Sequence, residues 1–169
     1  MIMGKMEPQS ETLKTRVLGI LSENRIMALA TLRADGWPQA TMVGYIHDGL
    51  VLYFAIGRGS QKLANMSRDP RVSIAIGHHE PDESGPRGLS LAATVSEVTD
   101  AVAVRRLNDL IQERYPEQQV FTPPGASIAV MKVLPVVFSL VDPAGGQDKP
   151  LLLRVDRSGA LKPEAAPAP

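Results

Sequence analysis

Two Asp-Gly pairs, Asp35-Gly36 and Asp48-Gly49, separate three β-rich apolar runs and commit the middle of this chain to antiparallel hairpins. The pair is a strong signal for a tight turn, because glycine takes positive φ without steric cost and aspartate tolerates the bend. Ile26 to Ala34 reads as the first strand. Gln39 to His47 reads as the second, with Thr41, Val43 and Tyr45 on one face and Met42, Gly44 and Ile46 on the other. Leu50 to Ile56 continues the meander. Arg71 to Ile76 and Leu89 to Val98 follow as further strands, and Ile128 to Val141 supplies one or two more, bent or broken near Pro135, which cannot donate to a central ladder.

Helices flank these strands. Ser10 to Glu23 places Leu13, Val17, Ile20 and Leu21 on one apolar stripe, and Asp100 caps a helix that carries Ala103, Leu107, Leu110 and Ile111 to Tyr115, with Pro116 as its stop. Arg105, Arg106 and Glu113 read as the solvated face of that helix. In a chain of 169 residues this order predicts one domain over residues 10–156, a flexible start over 1–9 and a Pro/Ala-rich disordered tail over 157–169. The 18 basic and 18 acidic residues cancel, which leaves no electrostatic footprint for nucleic acid or an acidic membrane surface. The absence of cysteine excludes disulfides, thiolate metal sites and a Cys nucleophile. With no long apolar run, a soluble, cytoplasmic protein is expected.

Between the run ending at Ile56 and a short helix capped by Ser60 lies Gly57-Arg58-Gly59-Ser60-Gln61-Lys62. The glycines free the backbone to turn its N–H groups toward a ligand, and Ser60 adds a hydroxyl. A helix start adds a positive dipole end, Arg58 and Lys62 add full charges, and Asp69-Pro70 ends the helix about two turns later. That combination suits a dianionic phosphate beside an apolar strand, and its owner is expected to carry a flat ring system. His78-His79-Glu80 is not read as a metal site, because adjacent histidines on an extended chain do not converge on one ion. Tyr45, Tyr53 and Phe54 read first as core or interface residues, and Trp37 as a hairpin shoulder. No nucleophile, base and acid constellation is present, so no catalytic side chain is assigned.

The segments ALATLRADGWPQATMVGY, LVLYFA, GRGSQKLANM, RDPRVSIAI and LSLAATVSEV, in that order and spacing, resemble the pyridoxamine 5′-phosphate oxidase-like superfamily of FMN-binding split β-barrels over roughly Ser10 to Asp142. The resemblance implies a mainly β fold with flanking helices, a six-stranded antiparallel Greek-key split barrel, forming a homodimer with FMN at the subunit interface. It implies that Arg58, Ser60, Gln61 and Lys62 hold the phosphate. Backbone groups around Thr41, Met42 and Val43 and the strand end at Tyr53, Phe54 and Ala55 would hold the isoalloxazine. Pyridoxamine-phosphate oxidases of this superfamily usually carry an arginine where this chain has Thr41, a basic residue where it has Ile46, and a C-terminal Arg-x-His absent here, with Arg87 and Arg154 the remaining candidates for a second phosphate.

Chemistry is then expected from the cofactor, with the protein supplying binding, orientation and polarity. The readings that follow are an FMN-dependent oxidoreductase acting on an unidentified small molecule, with a deazaflavin-dependent reductase as its variant; a flavin-binding or stress protein without turnover; and a haem-binding member of the same barrel. His47 is the one histidine within the strand core that could serve the last.

Overall fold

Alternation of inward apolar residues with outward, mostly small or polar ones builds much of the sheet. The computed structural model describes residues 8–78, 85–121, 123, 125 and 127–164. Its elements run α1 (Pro8–Glu23), β1 (Ile26–Leu32), β2 (Pro38–Gly44), β3 (Ile46–Asp48), β4 (Val51–Gly57), α2 (Gln61–Arg68) and β5 (Arg71–His78). They continue with β6 (Arg87–Glu97), α3 (Ala101–Arg114), β7 (Ile128–Asp142), a 3-10 turn over Pro143–Gly145, β8 (Gln147–Val155) and β9 (Leu161–Pro163). All ladders are antiparallel, in the order β2-β1-β5-β6-β7-β4-β3, with β8 on β7 and β9 on β8. The result is a mainly antiparallel sheet with three α-helices, the split-barrel class expected, but with nine strands among the described residues rather than six.

Closure comes from one stretch of chain. β2 sits at one end of the ladder order and β3 at the other, yet only Tyr45 separates them. The predicted strand from Gln39 to His47 is thus two. Tyr45 donates its N–H to the Arg25 carbonyl and its hydroxyl to the Leu21 carbonyl. Tyr45 and Ile46 are both buried, which breaks the alternation and rotates the chain from one partner to the next.

Two apolar clusters result. The barrel interior holds Met27, Leu29, Leu52, Phe54, Ile74, Phe138 and Leu140, and is plugged by Leu13, Val17, Ile20 and Leu21 of α1, the stripe read from the sequence. Outside the barrel, Val104, Leu107 and Ile111 of α3 and its C-cap Tyr115 pack on Ile46 and Val130. Pro135 bends β7 without breaking it: it lies opposite Ala93, the register slips between Ala92 and Ala93, and Val136 is the extra residue of the bulge.

The tail expectation fails in part. After β8, Asp156 caps a tight turn by accepting from the Ser158 and Ala160 N–H groups. Leu161 in β9 is fully buried, which stabilises by about 1.5–3 kcal/mol. Residues 157–164 are therefore part of the fold. The rest of the expected tail, 165–169, lies outside the described residues, as do 1–7 of the expected flexible start and the His79-Glu80 pair. No helix among the described residues is long and apolar enough to cross a membrane.

Candidate functional site

The β3–β4 ladder ends at Ile46 opposite Tyr53. Beyond it, β4 pairs only with β7 and β2 pairs only with β1, so the Pro38–Gly44 edge and the 54–57 edge approach each other without a ladder. Backbone N–H and C=O groups on such edges need partners. This split is the opening in the barrel wall.

One end of it is closed by α2. Ser60, extended at φ −77° and ψ 145°, accepts from the Leu63 N–H at 3.3 Å and caps the helix as expected. Asn65, fully buried, donates to Thr31 Oγ1 at 3.0 Å and Gln39 Oε1 at 3.4 Å, and accepts from Gln61 Nε2 at 3.0 Å. These bonds tie the helix to β1 and β2. Two residues along β2 from Gln39, on the same face, Thr41 Oγ1 is buried with no hydrogen-bond partner among the described residues. An orphaned buried hydroxyl costs about 1–3 kcal/mol and marks where a ligand atom would be satisfied.

The loop itself differs from expectation in two ways. Neither Gly57 nor Gly59 adopts positive φ; what they provide is room, since a Cβ at either would meet nothing within 4 Å. Arg58, expected on a phosphate, forms an ion pair with Glu97, Nη2 to Oε1 at 2.5 Å. Lys62 is half-buried and has no ion pair among the described residues. The residues present still fit a phosphate: a capped helix start, an unspent ammonium and open space at two glycines.

Strand alternation parts the remaining candidates. Thr41 and Val43 face inward, and Met42 stands 70% exposed on the outer face. On β4, Tyr53 and Ala55 face outward into a cleft of about 320 Å³ shared with Gly44, Tyr45, Ile46 and Phe121, whereas Phe54 is fully buried in the barrel. The Phe54 ring is therefore unavailable, and only backbone along these strands lies in common reach of one ligand. Burial, with Asp48 adding to it, raises the Tyr53 phenol above its usual range, so it stays protonated.

Sequence reasoning missed Asn65, Gln39 and Glu97, which reach the site only through pairing of distant strands. His47 is buried, and burial lowers its pKa. Its Nε2 meets Ser22 Oγ at 3.0 Å and its Nδ1 the Gly49 carbonyl at 2.9 Å, which leaves no open nitrogen for a metal. No group of three metal-ligating side chains occurs among the described residues. A cleft of about 650 Å³ lies elsewhere, on the outer sheet face across Ile26, Ala28, Met42, Ala75 and Val141.

The family model described as pyridoxamine 5′-phosphate oxidase matches residues 13–138. Among solved structures, an F420 reductase is 29% identical, with 72% of this chain and 94% of that one covered at a TM-score of 0.54. A candidate pyridoxamine 5′-phosphate oxidase of Listeria innocua is 25% identical, covering 76% and 97% at 0.60. The haem storage protein HutZ of Vibrio cholerae is 18% identical, covering 76% and 94% at 0.61, a likeness of fold alone.

Proposed function

The chain belongs to the pyridoxamine 5′-phosphate oxidase family, and on that premise we propose that it binds FMN in the split between β2 and β4 and acts as a flavin-dependent oxidoreductase on a small molecule. The observation that carries this is the juxtaposition of two unpaired strand edges with an orphaned Thr41 hydroxyl and the Ser60-capped start of α2. FMN, when bound, supplies hydride or electron transfer. The protein's part is to place it. Lys62 and the first N–H groups of α2 attract the phosphate, and N–H groups on the β2 edge donate to the pyrimidine half of the ring, where negative charge gathers on reduction. Thr41 offers its hydroxyl, and the outward side of Tyr53 and Ala55 leaves a cleft for substrate.

Pyridoxamine 5′-phosphate is a poor candidate for that substrate. A second phosphate dianion in a partly dry cleft needs its own cations. Thr41 is neutral and Ile46 is buried beneath α3. Arg87 is paired with Asp142 and Glu23, and Arg154 with Glu164. Little hydrogen peroxide is expected from pyridoxamine 5′-phosphate with excess FMN, and brisk release would restore the oxidase.

The 29% identity to an F420 reductase supports a deazaflavin as the variant reading. Heat release of the bound molecule from purified protein, read by absorbance and mass, separates the outcomes: FMN is expected, deazaflavin would redirect the cofactor, and haem would remove the flavin reading.

A further inference from the structure

Arg58 is turned away from the role its neighbours suit. Its guanidinium forks onto Glu97 at the end of β6, with Nη2 at 2.5 Å from Oε1 and Nη1 at 3.4 Å from Oε2. We propose that Glu97 is an internal rival of the ligand phosphate, holding Arg58 until a phosphate dianion takes it. The inference rests on the loop from Gly57 to Lys62 being a phosphate site, and it makes Glu97 the residue that sets how strongly phosphate is required.

The loop backbone is held independently of this ion pair. The Arg58 N–H donates to the Ser127 carbonyl and the Ser60 N–H to the Gly57 carbonyl, while Ser60 Oγ accepts from the Leu63 N–H as helix cap. The side chain can therefore swing without dismantling the loop. Both partners are partly exposed, 38% and 27%, and exposed ion pairs contribute little. A phosphate accepts two parallel N–H bonds from the same fork and carries more charge than a carboxylate, so it wins the exchange. Room exists on either side of Arg58, where Gly57 and Gly59 face open space.

Glu97 is not stranded by the loss. Its side chain is partly exposed and borders a cleft of about 420 Å³, so water takes over the carboxylate that Arg58 releases. A carboxylate ligand gains nothing over Glu97 and is refused, whereas a phosphate is accepted.

The test compares wild type, E97Q, R58A and the double variant, titrated with FMN, riboflavin and inorganic phosphate by flavin fluorescence and calorimetry. E97Q is expected to bind FMN and phosphate roughly 1.5-fold to fivefold more tightly, as suits the loss of an exposed rival ion pair. Riboflavin should be unaffected, and the gain should vanish in the R58A background. Tighter phosphate in E97Q with no flavin bound by any variant would sustain the exchange and remove the flavin reading. Unchanged or weaker FMN and phosphate in E97Q, or equal tightening of riboflavin, would overturn it, because Glu97 would then be orienting Arg58 or acting by general charge.

Discussion

Lys62 is the residue on which the phosphate reading turns, since Arg58 is shared with Glu97 and Lys62 is not. Lys62→Ala should weaken FMN by about 1.5–3 kcal/mol, the range for a lost charge-assisted hydrogen bond, and leave riboflavin nearly unchanged. Equal loss of both ligands in a fluorescence titration would end the assignment. Asp142 has a titration with a definite sign. Burial pushes its carboxyl up, but the Arg16 hydrogen bond and the charges of Arg87 and Arg16 outweigh it and hold the pKa below the usual range. The unfolded chain therefore takes up this proton first as pH falls. The contribution of Asp142 is complete above the ordinary carboxylate pKa and is lost as pH drops through the depressed one. Asp142→Asn should cost about 2–3 kcal/mol at neutral pH, less than for a fully buried pair because both arginines stay partly exposed, and should flatten the acid limb of thermal melts. Residue-level chemistry was legible where it is local. The Ser60 and Asp100 caps follow from side chains that bond N–H groups two or three residues on. Asn65 with Thr31 and Gln39, or Arg58 with Glu97, cannot be read before the strands that bring them together are known.

Among the elements, hairpins marked by Asp-Gly turns, the α1 stripe and the capped helices were all visible, because each is written in a period of two or 3.6. The missed elements lacked such marks. β8 begins with Gln147-Asp148-Lys149-Pro150 and β9 is three residues long, so neither carries an alternating run; they exist because Leu153 and Leu161 complete the barrel interior. The break at Tyr45 was equally silent, since Tyr45-Ile46 continues a β-rich run and the change of partner shows only in the consecutive burial of both. Leu161→Ala should lower stability by about 2–5 kcal/mol in denaturant melts, the usual cost of a large core cavity. A change within error would return residues 157–164 to the status of a tail.

At the scale of the whole molecule, the outer face of the sheet stands out for what it lacks. Across the β2-β1-β5-β6-β7 ladders its outward residues include Met42, Ala28, Ala75, Ser90 and Ser139 in one register row, with Ala40, Ala30, Ser73, Ala92 and Val137 in the next, and none of these ten is charged. Such a face suits a second copy of the chain, and we propose the C2 homodimer that the family resemblance implied. Sedimentation should give about twice the chain mass, and Ala28→Glu, which sets a charge at the centre of the row, should give monomers. A monomeric wild type that binds flavin fully would count against a two-subunit site. The split between β2 and β4 has a further consequence. Strand edges that a ligand can satisfy are edges that another chain can also satisfy, by adding a strand of its own. On this reading the cofactor is a cap on a sheet as well as a reagent, and the yield of well-behaved protein from a cell depends on its supply of vitamin.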